Sequence, residues 1–441
     1  MRRSTRAGAM VLMLLLLSTF AQAQLPLYDL PEPFANPVVT SGSMAITRAG
    51  RFVAANAYGD SVSIIGLDRS LEAEITVGAD PRGVTITPDN TQILAVSSAG
   101  RLTVIDIETG TVVTTYRVGE QAYHVLADDG LAYVSLLGED AIAVLDLATG
   151  NVVARIATPP DPTALALWGD FLYVTHFWSG QFSLIYLPTR EVVRTIQLHP
   201  DATLLQAIEI DPFSGRAFLP ASQSNSRLPS ADVGNRILPM LFIVDLGIMQ
   251  VEEQINLVLA DRNLSMPFAV AQPQNRSRLY IAHAGSNNVT VLNLDTGAAD
   301  NHFEVGANPR AILFNSQSTR VITHNVVDQT LSIVGTGFLD IEDSPPTTAM
   351  PFSAQQQIGQ PLFHNARAPR LSSNGLLNCA ACHFDRLSDG RAWNGEMTPV
   401  LADLPVLGAE ALNVHIAALM GGAGFEPDSI DIAALLEYLR Q

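Results

Sequence analysis

The chain contains no lysine. All 25 basic residues are arginine, against 43 Asp and Glu, and the formal net charge is −18. So acidic a surface disfavours nucleic acid and anionic lipid as partners; it suits a basic protein partner or serves solubility alone. Charged residues are sparse at 15% while hydrophobic ones reach 47%, which excludes a disordered chain and indicates packed, turn-rich structure. Apolar runs are short. The longest, Ala9 to Leu17, follows Arg2, Arg3 and Arg6 and precedes Ala21-Gln22-Ala23. That order reads as a secretory signal over residues 1–23, with the mature chain starting at Gln24 in the periplasm or outside the cell. No later run is long enough to span a bilayer. Cysteine is nearly absent. Cys379 and Cys382 are the only two, so no disulfide framework exists, and a bridge between them would close too small a ring to stabilise much.

What the chain has in abundance is repetition. From Gly78 to Val118 it carries four short β-rich runs separated by turn signals such as Pro88-Asp89-Asn90 and Glu108-Thr109-Gly110. Similar units follow from Gly119 to Thr158, from Pro159 to Leu198, from near Val258 and from Gly306. A first copy begins near Gly42, and a longer fifth runs from His199 to Leu257. Seven units of about 40 residues, each with four strands, predict a closed seven-bladed β-propeller over residues 42–340.

Two features of the ring are candidates for chemistry. The second strands end in YVTH, YIAH and VITH, which predicts His176, His283 and His324 on one rim, in the places held elsewhere by Asn56, Ser97 and Leu136. Three imidazoles on one face could bind a metal, or each could be a turn residue replacing Asn. The fifth unit also carries an insertion, Ser222 to Pro239, which reads either as a binding loop or as an inert excursion.

Past Gly337 the pattern changes. Residues 341–352 include three prolines and read as a linker. Residues 353–441 have the size and pattern of a small all-α module. SAQQQIGQPLF predicts a helix with Ile358, Leu362 and Phe363 on one face, in which Pro361 marks a kink or a late start. SIDIAALLEYLRQ predicts a terminal helix capped by Asp428 or Ser429, with a stripe of Ile430, Ala433, Leu435, Leu436 and Leu439.

Between these helices lies Cys379-Ala-Ala-Cys382-His383. CxxCH is the attachment signature of haem c: two thiols form thioethers with the vinyl groups, and the adjacent His becomes the proximal iron ligand. Zinc would need further ligands at suitable spacing, and a redox dithiol is expected beside a βαβ pattern; neither is present. One covalent haem c is therefore expected on Cys379, Cys382 and His383. For the sixth position Met420 is the first candidate, since it precedes Gly421-Gly422 and the terminal helix, where the backbone could approach a haem edge. Met397 and His415 compete with it, and His415 would give two imidazole ligands.

The repeat wording also resembles the YVTN-type seven-bladed propeller family, over residues 42–340. The run IGQPLFHNARAPRLSSNGLLNCAACHFDRLSDGRAW, followed by TPVL, resembles the first haem segment of the bacterial di-haem cytochrome c peroxidase and MauG-like family. The resemblance implies redox chemistry at haem. The chain departs from that family in having a single CxxCH, whereas the peroxidase scheme uses two haems. The expected architecture is thus multidomain, an all-β seven-bladed propeller followed by a small all-α cytochrome c-like domain. The expected function is extracytoplasmic electron transfer to a redox partner protein, with the propeller docking that partner or holding a small ligand. Two alternatives stand beside it. One is a peroxidase-like oxidoreductase with Glu396, Arg391 or His415 as the polar distal group; the other is a binding protein with an accessory or sensing haem.

Overall fold

The computed structural model describes residues 38–39, 42–226, 236–258, 264–389, 391–393, 396–397 and 408–440. The expected signal segment over residues 1–23, the expected start at Gln24, the tip of the Ser222–Pro239 insertion and Thr398-Pro399 lie outside the described residues.

Residues 44–343 form seven antiparallel four-stranded sheets in sequence order, each the width of one propeller blade. Their inner strands begin at Met44, Pro81, Ala122, Pro162, Ala202, Pro267 and Pro309. β-branched and aliphatic residues fill the second and third strands and are buried on both faces, as in Phe52–Asn56 and Ser61–Ile65. Outer strands such as Thr111–Arg117 alternate toward solvent. An apolar cluster fills every gap between neighbouring blades, so each blade buries its two faces only because it has two neighbours. In blade 5 the inner strand is split into Ala202–Thr203 and Glu209–Asp211. The two-residue strand Val38–Val39 pairs with the free inner edge of Pro162–Trp168 in blade 4.

Blades 1 and 7 are each built from consecutive strands, so no strand is exchanged to close the ring. Closure comes from the apolar contact of Met44, Phe52 and Ile65 with Ile322, Leu331 and Ile333, and from the stretch read above as a linker. That reading needs correction. Ile341–Asp343 is the outer strand of blade 7, pairing with Ile333 and Val334. Beyond it, the Thr347 amide donates to the Gln329 carbonyl at 2.8 Å, and the Thr347 carbonyl accepts from Ser63 Oγ of blade 1. Arg69 of blade 1 also pairs with Asp343 at 3.2 Å. The prolines end the strand, and the residues after it staple the seam.

The C-terminal module contains three helices among its described residues: α1 (Ala354–His364), α2 (Ala409–His415) and α3 (Ile430–Leu439). Ser353 and Gln356 form a reciprocal capping box on α1, which runs through Pro361. Ser429 caps α3, its Oγ accepting from the Ile432 amide. The buried faces differ from those expected. Ile358 and Ile430 are exposed, and the helices meet instead through Gly359, Phe363 and His364 on α1 and Ile432, Ala434, Leu435 and Tyr438 on α3. Gly359 is required at this crossing, because a Cβ there would lie 2.1 Å from the Ala434 carbonyl oxygen. No helix among the described residues is long and apolar enough to cross a membrane.

Candidate functional site

The CxxCH segment begins as one short 3₁₀ turn, Cys379–Ala381. Asn378 makes that turn and anchors it. Its Oδ1 accepts from the Ala381 amide at 2.8 Å, and its Nδ2 donates to the His364 carbonyl at the end of α1 at 2.7 Å. The His383 amide donates to the Cys379 carbonyl at 2.9 Å, so both thiols and the imidazole leave one turn. Downstream, Asp389 closes the loop. Its amide donates to the Cys382 carbonyl at 2.9 Å, while its carboxylate accepts from the Arg391 amide at 3.0 Å and from Trp393 Nε1 at 2.9 Å. The SDGR-x-W wording is thus a local fold: Asp389 holds the tryptophan against the same apolar cluster that contains Leu377, Leu412, Ile416 and Met420.

Both cysteines are free thiols. Burial pushes the Cys379 thiol up to about 12, and burial with the nearby Asp389 carboxylate raises Cys382 well above its ordinary value. Reactive dithiols have depressed values, so this environment opposes a redox dithiol. It suits sulfurs that lie in an apolar pocket. His383 is buried; desolvation, then the neighbouring His415 ring, lowers its imidazole to about 4, and its Nδ1 has no hydrogen-bond partner. The His383 and His415 ring centroids lie 6.3 Å apart. Met420 is buried in the same cluster, at the end of a π-turn, Ile416–Met420. Two half-buried thiols packed against an apolar cluster, the buried His383 next to them in the chain and the tilted His415 ring near it form a donor set of the kind that could hold haem c.

The structure gives the other expected residues further engagements. Gly422 presses on the carbonyls of Arg370 and Leu371, where a Cβ would lie 2.4 Å away. Its close approach is to the chain itself. Arg391 donates to the Trp178 and Ala202 carbonyls of blades 4 and 5, both at 3.3 Å. Glu396 and Met397 form a two-residue strand paired with Ala392–Trp393.

The rim histidines also need correction. The inner-strand starts Pro162 and Pro267 pair with His176 and His283, but Pro309 pairs with Asn325. His324 lies one residue earlier, on the opposite face, bonded to Ser43 Oγ at 2.8 Å. At the true equivalent positions, Asn56, His176, His283 and Asn325 bond to Ser63, Ser183, Thr290 and Ser332, each seven residues on. The histidines do the work of asparagine. No group of three or more His, Cys, Asp or Glu able to hold a metal occurs among the described residues.

The unforeseen part of the site is its seat. In blades 2, 3, 4, 6 and 7 the inner strand has a bulge beside its first residue, at Pro81, Ala122, Pro162, Pro267 and Pro309. A bulge re-aims the extra residue, and here Arg82, Phe268 and Arg310 point at the mouth of the ring. They receive Phe384 and Asp385, the two residues after His383. Asp385 pairs with Arg82 and, at 2.8 Å, with Arg310; all three are largely buried. Burial works to raise its carboxyl, but Arg310 and Arg82 outweigh that and hold it below the usual range. Phe384 stacks on Phe268 at 5.2 Å and meets Phe177 at a tilt, 4.9 Å between ring centres, with the Arg310 guanidinium 4.6 Å from its own ring centre. The recurring [DN]-P-R and M-P-F wording at blade starts was the available signal.

Other blades add contacts. Arg367 donates to the Ser286 carbonyl at 3.2 Å, Ser265 Oγ to the Leu376 carbonyl at 2.7 Å, and the Ala366 amide to the Gly285 carbonyl at 2.8 Å. The stems of the blade 5 insertion extend the strands Arg216–Ser224 and Ile237–Asp245. Arg236, at their base, donates to the Ala418 and Leu419 carbonyls at 2.8 and 2.9 Å. The described stem of the insertion thus engages the module, with Arg236 capping the π-turn after α2.

Fold and site together define a seven-bladed β-propeller with a small helical module seated on one mouth. No family model matches the chain, and no curated protein matches its sequence. Among solved structures, hydrazine synthase of Kuenenia stuttgartiensis is similar over 73% of this chain and 100% of its own, with a TM-score of 0.61 and 17% identity. The Cps50 (Swd1) β-propeller domain of Myceliophteria thermophila is similar over 68% of this chain and 94% of its own, with a TM-score of 0.50 and 14% identity. At these identities the likeness is one of fold alone.

Proposed function

We propose that the protein is an exported c-type cytochrome that transfers electrons through one haem, mounted on the propeller by its own attachment loop. The carrying observation is that two free, half-buried thiols pack against one apolar cluster, with the His415 ring centroid 6.3 Å from that of the adjoining His383. Cys379 and Cys382 would hold the group as thioethers, His383 would ligate the iron, and Met420 or His415 would face it from the other side. When bound, haem supplies one-electron chemistry whose potential follows axial ligand and burial. Asn378 and Asp389 fix the attachment turn, and Asp385 fixes that turn to the ring. The mouth that could have held a small ligand is filled by the chain itself, which favours the propeller as a mount and docking scaffold.

The test is expression in a periplasm competent for haem attachment, followed by haem staining under denaturing conditions. Wild type is expected to retain one haem per chain, and the Cys379→Ala, Cys382→Ala double variant none. A wild-type protein that folds and carries no covalent haem would overturn the assignment.

A further inference from the structure

We propose that His415, not Met420, is the group that faces the iron opposite His383, so that two imidazoles hold it. This deepens the haem reading above and rests on it. The geometry between the rings carries the argument. A metal lies about 2 Å from a ligating imidazole nitrogen, and the ring centre lies roughly 1 Å behind that nitrogen. Two imidazoles on opposite sides of one iron therefore have centroids roughly 6 Å apart. The observed 6.3 Å fits that spacing. It is too wide for a direct hydrogen bond between the rings, in which nitrogens would approach to about 3 Å.

His415 is also placed by more than its own helix. Leu412 and Ile416, on either side of it, are buried in the apolar cluster. The Asn413 amide clamps Phe425, donating to its carbonyl at 2.7 Å and accepting from its amide at 2.8 Å. Arg236 of the propeller holds the carbonyls of the turn that follows. The π-turn beginning at Ile416 then brings Met420, five residues on, back toward the face that carries His415. Met420 is buried in the apolar cluster, with Leu412 and Ile416, as part of its wall. Methionine ligation raises the potential of a cytochrome c, so paired imidazoles predict a lower-potential centre and a correspondingly reducing partner.

The test uses the full-length holoprotein, after denaturing haem stain has shown that each variant retains covalent haem. Wild type is expected to be low-spin, with no sulfur-to-iron charge-transfer band, and Met420→Ala to keep that spectrum. His415→Ala is expected to become high-spin and to regain the low-spin spectrum on adding imidazole. His415→Met, which preserves bulk, should raise the reduction potential. A charge-transfer band in wild type that disappears in Met420→Ala, with His415→Ala still low-spin, would overturn the proposal while leaving haem attachment intact. Wild type without covalent haem removes both readings together.

Discussion

The propeller and the module on its mouth are stabilised in opposite ways. Each blade repeats one solution, an apolar cluster shared with the blade on either side, and the ring spreads its stability over seven such gaps. The module has no repeat. Its three short helices share an apolar cluster with propeller side chains including Phe177, Leu204, Met266 and Phe268. Its firmest polar anchor is a single buried carboxylate, Asp385, between two arginines. Distributed stability tolerates a local loss, whereas concentrated stability does not.

Asp385→Ala should break this comparison most sharply. It leaves Arg82 and Arg310 buried without their counter-charge, a change worth about 3–5 kcal/mol where a buried pair loses one partner. Residues 353–440 are expected to become protease-sensitive while the propeller keeps its thermal transition. An unchanged digestion pattern would show that the apolar contacts alone hold the module. Gly359→Ala comes next. Its methyl group meets the Ala434 carbonyl, and overpacking of this kind costs roughly 1–3 kcal/mol. Hydrogen exchange in α1 and α3 should accelerate with no change in the blades.

The smallest effect tests the ring itself. Burial is the main cause that lowers His176 to about 4 and, with the His302 charge adding to it, His283 to about 3. Above the ordinary histidine value neither the folded nor the unfolded form carries the proton, and stability is unaffected. As pH falls below about 6.5 the unfolded chain takes up protons that the folded ring refuses, so stability drops by about 1.4 kcal/mol per pH unit for each imidazole. The loss continues down to the folded values, reaching about 2 kcal/mol per imidazole at pH 5. His176→Asn with His283→Asn should flatten the fall in denaturation midpoint between pH 7.5 and 5. Asparagine already does the same bonding at positions 56 and 325. An equally steep fall in the double variant would place the acid sensitivity elsewhere.

These regions also differ in what could be read from the chain. Seven copies of a four-strand pattern average out local ambiguity, so the ring was legible. The one-residue offset between His324 and Asn325 was not, because VITHN offers two polar residues and only pairing with Pro309 decides between them. The residues after the last repeat looked like a linker because Ile341–Asp343 is too short to show alternation. In the module, CxxCH and the Ser429 cap stood out as local signals. The helix faces did not, since α3 turns Tyr438 inward toward His364, with Tyr438 Oη 3.3 Å from His364 Nε2, while Ile430 stays in solvent. The seat for Phe384 and Asp385 depends on bulges in three separate blades, at Arg82, Phe268 and Arg310, and a bulge leaves no mark on hydrophobic periodicity.

The way the module sits has a consequence for biosynthesis. Side chains or carbonyls from six blades bond to it or stack on it, and Tyr123 and Leu137 of blade 3 pack onto the same cluster. Arg82 and Arg310, which grip Asp385 together, come from the second and the last blades to be made. The C-terminal residues therefore meet their seat only after the whole ring has been synthesised and closed. A chain that stalls or misfolds in any late blade never presents both arginines at one mouth. The order in which the chain is made thus places docking of the Phe384–Asp385 segment after completion of the ring.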